Sequence, residues 1–349
     1  MPLRKKPMLS WKLLRVPILK FTSMNNISAL DNLFSEHNLG SEPSAIALGF
    51  FDGVHRGHVA LLNKTKELAQ SRDLRPLVFT FKEHPSWLLT PTKRAKLLCT
   101  LEERLSIIKN MGLEPIAVPF DSEIASMAPA DFVASILVNK LKATQVVVGY
   151  NYRFGRCAQG DVQMLQRLGV KFNFSTEVVA PFCLDNEIIS SSLLRRLVEE
   201  GNLPKASRLW GRRYKVGGKI IHGRKVGRTL NIPTANIEVD SYLIKPPRGV
   251  FAAICSLKKS ENDQVGKSFC LPGLAYWGNR PTFDCGRDVL EVFLLSEPGQ
   301  FGPDELYGWH LEAELIEMVR GQIHFPNAEA FVSQVTKDKL KVQEIVAKL

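Results

Sequence analysis

The chain has 349 residues, more than one hydrophobic core usually serves, so two domains are expected. Hydrophobic residues make up 45% and charged residues 23%, as in globular proteins, and no apolar run reaches the roughly 20 residues that span a bilayer. The net charge of +11 indicates an anionic partner, either nucleic acid or a phosphate-bearing small molecule.

A basic leader opens the chain. Residues 1–23 contain six Lys or Arg residues and no acidic residue, which leaves a net charge of +5 for the remainder. Two interpretations stay open: a basic arm or targeting segment, or a non-native leader with translation starting at Met24. The six cysteines have no C-x-x-C spacing, which indicates reduced thiols in a cytoplasmic protein and no zinc site.

The first half alternates strand and helix patterns. Four short runs are apolar throughout, as in parallel strands buried on both faces, at residues 45–50, 76–81, 116–120 and 146–150. Helical patterns cover residues 59–71, 100–111 with a capping box at its start, and a segment that begins at Pro129. The alternation predicts a doubly wound, Rossmann-like α/β domain, which we place at residues 24–203.

After residue 190 the pattern changes. Helices are predicted over 191–200, 203–210 and 327–349, and strands over 216–221, 249–257, 273–277, 289–295 and 311–318. Glycine, proline and charged clusters separate the strands. We predict a small antiparallel β-barrel with a terminal helix at residues 204–349.

A glycine-bearing turn follows the first strand, in the sequence GFFDGVHRGH at residues 49–58. Gly49, Gly53 and Gly57 let the backbone approach a phosphate, and the helix start offers unpaired N–H groups. His55 and His58 can both face one ligand and stabilise charge on an α-phosphate during adenylyl transfer. A single histidine in such a loop is more often structural, but the H-x-G-H pair is far more specific for a ligand.

A second anion site is predicted at the helix start ISSSLLR, residues 189–195. There Ser191, Ser192 and Arg195 can cradle the β- and γ-phosphates of a nucleotide. Alone the signal is weak, because serine is the commonest helix cap. Its combination with H-x-G-H in the same α/β domain favours a nucleotide-binding function.

In the β region, residues 222–236 join a basic glycine-bearing loop to the sequence PTAN. Thr234 and Asn236 are two apart on an extended chain, so their oxygens face one side and can share one Mg²⁺. From spacing alone, a turn or sheet-edge role is the better interpretation. Glu291 interrupts an apolar strand, where a carboxylate is costly to bury without a purpose, although a solvent-facing Glu on an edge strand is the alternative.

These motifs, with TFKEHP at 80–85 and VVVGYNYRFGRCAQGD at 146–161, resemble those of the prokaryotic bifunctional riboflavin kinase/FMN adenylyltransferase family. The resemblance covers essentially the whole chain after Met24. It implies that the barrel phosphorylates riboflavin to FMN and that the N-terminal domain adenylylates FMN to FAD, both with Mg-ATP. It also implies site roles in the N-terminal domain: ATP phosphate binding by His55, His58, Ser191, Ser192 and Arg195, and a flavin-site role for Asn151.

For the barrel, the resemblance implies nucleotide binding by Gly223, Gly227, Arg228, Thr234 and Asn236, catalysis by Glu291 as the base, and flavin binding by Arg320. The sequence departs from the family pattern on the expected flavin side, at Tyr276, Asn279, Phe293 and Gln322. One alternative is an adenylyltransferase whose kinase-like barrel is impaired or only binds flavin. Another is a basic nucleic-acid-binding protein, but the barrel lacks the aromatic interleaving of a base-stacking surface. We expect no nucleic-acid or membrane partner.

Overall fold

A computed structural model describes residues 41–349 except 224–229, 231, 260–268, 280–287, 298–299 and 302–303. The predicted leader at 1–23 and the alternative start at Met24 lie outside the described residues. Among the helices that are described, none is both long and apolar enough to cross a membrane.

The N-terminal part is built on a parallel sheet of five strands in the order β3-β2-β1-β4-β5. The strands are β1 Ser44–Leu48, β2 Arg75–Phe81, β3 Glu114–Val118, β4 Ala143–Gly149 and β5 Ser175–Val179. Neighbouring strands pair in parallel, and β1 is buried along its whole length. The strand order reverses between β1 and β4, so a ligand crevice is expected at their carboxyl ends.

Helices connect these strands, as predicted. They are α1 Arg56–Arg72, α2 Ser86–Leu89, α3 Leu101–Asn110, α4 Ser122–Ser126, α5 Pro129–Asp131 with its π-helical continuation Phe132–Lys140, α6 Val162–Phe172, α7 Ser191–Glu199 and α8 Leu203–Trp210. Short 3₁₀ turns lie at Pro91–Lys93 and Arg156–Ala158, and a small hairpin is formed by β6 Cys183–Leu184 and β7 Glu187–Ile188. The predicted doubly wound α/β fold is confirmed.

The C-terminal part is a closed barrel with strands in the order β10-β11-β12-β9-β8-β13. The strands are β8 Tyr214–Ile221, β9 Ala235–Ile237, β10 Gly249–Lys258, β11 Phe269–Asn279, β12 Asp288–Leu294 and β13 His310–Gly321, and the helix α9 Ala328–Val346 follows them. Neighbouring strands pair antiparallel. The predicted barrel with a terminal helix is therefore confirmed.

Alternate residues of the barrel strands face two different apolar clusters. Leu290 and Val292 of β12 pack in the barrel interior. Phe293 packs on the outer face, in a cluster that includes Val335 and Val342 of α9. Since side chains alternate along a strand, this arrangement fixes which face of β12 each residue occupies.

The barrel interior is continuous with α7 and α8, the two helices that precede the barrel. One cluster of buried side chains joins Leu197 of α7 and Leu209 and Trp210 of α8 to the interior of the barrel. Residues 40–349 accordingly form one compact unit. The predicted boundary at 203/204 lies within this continuous core and stays a prediction.

Candidate active sites

The predicted nucleotide-binding loop, residues 49–58 and hereafter the nucleotide loop, leaves β1 at the carboxyl edge of the sheet and runs into the start of α1. Phe51 and Val54 have φ angles of 57° and 43°, a region that non-glycine residues, and β-branched ones above all, avoid. Their side chains are 2% and 3% exposed and pack into the core between sheet and helix. Burial of these side chains therefore offsets a strained backbone, and such strain is concentrated at ligand sites.

The glycines of this loop make room for side chains of the protein itself. A Cβ added at Gly49 would lie 2.9 Å from the Phe51 ring, and one at Gly57 would lie 3.2 Å from the His55 ring. Gly53 has a φ of 76°, and a Cβ there would lie 2.8 Å from Trp210. Internal packing thus accounts for these three glycines, and their close approach to a phosphate stays a prediction.

The two histidines stack on each other at the start of α1, with ring centroids 3.7 Å apart. Nδ1 of His55 accepts the His58 backbone N–H at 3.4 Å and so caps the helix, which leaves the proton of a neutral His55 on Nε2. Burial lowers the pKa of His55 to about 4 and holds the pKa of His58 well below its usual range. Both rings are neutral near pH 7, so they can donate hydrogen bonds but do not act as cations.

Asp52 joins the nucleotide loop to the second predicted motif. Its carboxylate accepts hydrogen bonds from Arg195 Nη2 at 2.6 Å and from the Leu98 N–H at 3.0 Å. The Ser191 hydroxyl donates to the Asp52 carbonyl oxygen at 3.0 Å, across 139 residues of sequence. The structure thus brings the two motifs together, but it does so through an acidic residue to which the sequence patterns assign no role.

Ser192 and Asn151 lie at the exposed rim of this region. Ser192, in the first turn of α7, lines a cavity of about 350 Å³ whose other lining residues are Glu187, Ile188, Leu193 and Arg196. Asn151 lies in the turn after β4, the strand next to β1. Both are therefore open to a ligand, in contrast to Ser191 and Arg195, which contact Asp52.

Two further side chains complete the carboxyl edge of the sheet. Arg104 is 2% exposed and donates to the carbonyl oxygens of Phe50 and Phe81 at 2.6 Å each. His84 lies edge to face with the Phe50 ring at 4.7 Å, and burial lowers its pKa to about 4, with a further lowering by the charge of Arg195. His84 belongs to the TFKEHP motif, so the sequence could have identified it as a site residue. Nothing in the sequence distinguishes Arg104 from the other charged residues of α3.

Three strands of the barrel present predicted site residues side by side. Glu291 of β12 is the register partner of Asn236 in β9 on one side and of Tyr276 in β11 on the other. Residues directly opposed in antiparallel strands have Cβ atoms roughly 5 Å apart on the same face. Because Leu290 and Val292 face the interior, these three side chains share the outer face of the barrel.

Gly223, two residues after the end of β8, packs against this face. A Cβ at Gly223 would lie 2.1 Å from Asn236 Nδ2, so the amide of Asn236 rests directly on the glycine. Thr234 immediately precedes β9 and is partly exposed. Gly227 and Arg228 lie outside the described residues. The described part of the chain thus brings Gly223, Asn236 and Glu291 together.

Arg320 has partners within the protein. Its Nε donates to Asp338 Oδ2 of α9 at 2.8 Å, and the two side chains are 15% and 4% exposed. Asp338 also accepts from Gln334 Nε2 at 2.8 Å. These contacts tie α9 to β13, and they favour a structural role for Arg320 over the predicted flavin contact.

The positions that depart from the family pattern lie close to α9 or at the barrel rim. Tyr276 and Phe293 pack in the outer apolar cluster, and Lys339 Nζ of α9 lies 4.5 Å from the Phe293 ring centroid. Gln322 follows β13 and is exposed, and the Asn279 side chain lies outside the described part. Tyr276 and Phe293 therefore make the outer face beside Glu291 partly apolar.

Comparison with known proteins identifies both parts. The FAD synthetase family model matches residues 38–193, and the riboflavin kinase family model matches residues 210–346. The bifunctional riboflavin kinase/FMN adenylyltransferase of Escherichia coli K12 is 32% identical over 313 residues, which cover 88% of this chain and 95% of the relative. The chain belongs to this bifunctional family. The Listeria monocytogenes protein of the same description is 32% identical over 307 residues, 87% of this chain and 93% of that one.

The protein is therefore a transferase that combines an FAD synthetase domain with a riboflavin kinase domain for flavin cofactor synthesis. A solved structure has the same architecture. A Streptococcus pneumoniae protein described as a macrolide-efflux protein superposes with a TM-score of 0.75 at 25% identity, over 88% of this chain and 96% of that one. The likeness extends over both domains of the fold.

Proposed function

We propose that the two domains act in sequence. The barrel transfers the γ-phosphate of ATP to riboflavin and forms FMN, and the N-terminal domain then transfers AMP from a second ATP to FMN, which gives FAD and pyrophosphate. One observation supports the proposal: in each domain, residues predicted for the site from distant parts of the chain lie together. Ser191 and Arg195 contact Asp52 of the nucleotide loop, and Asn236 is the register partner of Glu291.

In the adenylyl transfer, a phosphate oxygen of FMN attacks the α-phosphorus of ATP in line with the leaving pyrophosphate. His55 and His58 offer neutral imidazole donors at the start of α1, where the helix N–H groups also favour an anion. A guanidinium has five N–H donors, so the pairing of Arg195 with Asp52 through Nη2 is compatible with a phosphate contact. Ser192 is proposed to contact the triphosphate and Asn151 the flavin.

In the kinase reaction, Glu291 accepts the proton of the riboflavin 5′-hydroxyl as that oxygen attacks the γ-phosphorus and ADP leaves. Thr234 and Asn236 would supply the hard oxygen ligands that Mg²⁺ prefers, and Asn236 lies beside Glu291 on the outer face. When bound, Mg²⁺ would neutralise charge on the ATP phosphates. The loop with Gly223, Gly227 and Arg228 is proposed to cover the nucleotide.

Further assignments complete the proposal. ATP, riboflavin and FMN are the proposed substrates. The proposed domain boundary at 203/204 falls between the two ranges that the family models match. Every described cysteine is free, which supports the proposed reduced thiols and cytoplasmic location. Burial raises the pKa of Cys99 and Cys255 to about 12, so these two thiols stay protonated. A flavin contact by Arg320 stays a prediction.

The proposal is tested by incubating the pure protein with riboflavin, ATP and Mg²⁺ and resolving FMN and FAD by chromatography. FMN should appear first and FAD should follow. Glu291→Gln should slow riboflavin phosphorylation by about 100-fold or more, since a general base contributes that much, while FAD still forms from added FMN. Undiminished phosphorylation by this variant would contradict the base assignment. FAD from FMN with no FMN from riboflavin in the unaltered protein would leave only an adenylyltransferase.

A further inference from the structure

We propose that Trp210 and Arg212, at the start of the riboflavin kinase half, are positioning residues for FMN adenylylation in the other half. They hold the nucleotide loop by the carbonyl oxygen of Gly53. This inference rests on the proposed assignment of residues 49–58 to the ATP site. It goes beyond that assignment, because it makes adenylyl transfer depend on side chains that belong to the kinase sequence.

Three donors converge on the Gly53 carbonyl oxygen. Trp210 Nε1 donates at 2.5 Å, Arg212 Nη2 at 3.1 Å and Arg212 Nε at 3.3 Å. The Gly53 N–H is held as well, by a hydrogen bond to Cys99 Sγ at 3.3 Å. A carbonyl oxygen has two lone pairs, so these donors occupy it fully. Both polar groups of Gly53 are therefore fixed by the protein.

The position of Gly53 makes this restraint important for the site. Gly53 follows Asp52, which binds Arg195, and lies two residues before His55. The indole of Trp210 fills the space where a Cβ of Gly53 would lie, and it is only 2% exposed. Residues 52–55 set the position of the Asp52–Arg195 ion pair relative to His55. Trp210 and Arg212 of the kinase half hold this same segment at Gly53.

Arg212 is itself held in place by an acidic and an aromatic neighbour. Its Nη1 donates to Glu103 Oε1 at 2.5 Å, and its guanidinium lies 4.6 Å from the Trp210 ring centroid. Lys215 Nζ lies 3.6 Å from the same Glu103 oxygen and 3.1 Å from Glu312 Oε1 of β13. A connected set of charges therefore extends from the barrel strands to the nucleotide loop.

The loop needs such a restraint because its backbone is strained at Phe51 and Val54. Without the three donors, the loop could relax and move the histidines. A displacement of about 1 Å at a reacting centre can cost roughly 100-fold in rate. The expected effect is therefore on the kcat of adenylylation more than on the KM for ATP.

The test compares Arg212→Ala with Arg213→Ala in the full-length protein. Arg213 is the neighbouring residue of the same type, but it pairs with Glu314 at 3.5 Å on the barrel surface. Arg212→Ala should lower the kcat of FMN adenylylation about 10- to 100-fold, with riboflavin phosphorylation changed less than about twofold. Arg213→Ala should change neither activity, and Arg212→Lys should recover part of the loss. Amide hydrogen exchange in residues 49–58 should rise in Arg212→Ala only.

Trp210→Phe is a second variant, which keeps an aromatic ring and loses the Nε1 donor. Wild-type adenylylation by both Trp210→Phe and Arg212→Ala would overturn the inference, provided that His55→Ala is inactive. Wild-type adenylylation by His55→Ala would instead overturn the proposed ATP site. Equal losses of both activities in Arg212→Ala, with faster exchange throughout the barrel, would indicate general destabilisation and would also overturn the positioning role.

Discussion

The two proposed nucleotide sites of this protein are held in different ways. In the adenylyltransferase domain, Asp52 and Gly53 of the loop are bound by Arg195 and Arg212, which lie far along the chain. In the kinase barrel, Glu291 is placed beside its neighbours by the register of adjacent strands. Substitutions that release the loop should therefore affect stability and activity together, whereas substitutions on the barrel face should affect activity alone.

The largest effect is expected from breaking the buried ion pair under the nucleotide loop. Asp52→Asn leaves the charge of Arg195 without its partner, and the two side chains are 4% and 18% exposed. Removing one partner of a buried pair costs about 3–5 kcal/mol. We expect the free energy of unfolding to fall by about that amount in urea denaturation, and FMN adenylylation to fall by about 100-fold or more.

A surface pair with the same separation provides the control. Asp185 and Arg208 also approach to 2.6 Å, but they are 40% and 67% exposed, so Asp185→Asn should cost less than about 1 kcal/mol. Burial raises the pKa of Asp52 in spite of Arg195, which means that desolvation outweighs the attraction. The double substitution Asp52→Asn with Arg195→Met should therefore be less destabilising than Asp52→Asn. If Asp52→Asn and Asp185→Asn lowered the free energy of unfolding by the same amount, burial of the Asp52–Arg195 pair would not be what makes the loop sensitive.

The Arg320–Asp338 pair tests whether breaking a buried ion pair lowers the free energy of unfolding in the kinase domain as well. Asp338→Asn should lower the free energy of unfolding of the barrel by about 3 kcal/mol, because it leaves a largely buried guanidinium unpaired. Arg320→Lys should also destabilise the barrel, with little change in the KM for riboflavin of the folded protein. A raised KM for riboflavin without any loss of stability would show instead that Arg320 contacts the flavin.

The sequence predicts the elements that have strong local signals. The side chain of Thr100 caps α3, Pro129 begins α5, and the helix over 203–210 lies where its pattern predicts. No comparable signal identifies β5, an edge strand that is partly exposed and contains Glu177, or β9, which has three residues. Short and half-exposed strands lack the continuous apolar run by which a buried strand is recognised.

The sequence predicts the site motifs better than their contacts. Alternation along β12 and the spacing of Thr234 and Asn236 are local, so the sequence predicts which residues of each strand lie on one side. The pairing that brings Asn236 beside Glu291 is set by the fold. The partners of Asp52 are set by the fold, since Arg195 lies 143 residues further on. An acidic residue between an aromatic residue and a glycine does not reveal that its carboxylate is buried, nor which cation neutralises it.

Acidification should destabilise the adenylyltransferase domain through its buried histidines. The pKa of His55 is about 4 in the folded protein and 6.5 ordinarily, so between these values the unfolded chain binds a proton that the folded protein does not. Stability therefore falls as the pH is lowered from about 6.5 towards 4, by roughly 3 kcal/mol from His55. Urea denaturation at several pH values measures this slope.

His55→Asn isolates this contribution, because asparagine also caps helices and does not titrate. The variant should flatten the dependence of the free energy of unfolding on pH between about 4 and 6.5. The slope that persists should include the contributions of His58 and His84, which are partly buried and whose pKa values are also lowered by desolvation. An unchanged slope would mean that His55 is already protonated in the folded protein near pH 6.

The smallest effect, confined to activity, is expected where Gly223 meets Asn236. Gly223→Ala would place a methyl group 2.1 Å from the present position of Asn236 Nδ2, so the amide must turn away from the outer face. Gly223 is not in the left-handed region, so the backbone accepts alanine. We expect the KM for ATP in riboflavin phosphorylation to rise about tenfold, which corresponds to about 1.4 kcal/mol, with FMN adenylylation and stability unchanged.

Gly321→Ala is the matched control, because a Cβ there meets nothing within 4 Å. It should leave the KM for ATP unchanged. Gly223→Ala would instead act on stability if the outer face with Asn236 and Glu291 were held by long-range packing, as the nucleotide loop is. In that case it would lower the free energy of unfolding as much as Asp52→Asn does. If it raised the KM alone, the side chain of Asn236 would be positioned by local contacts, because an amide at the outer face can move without exposing the barrel interior.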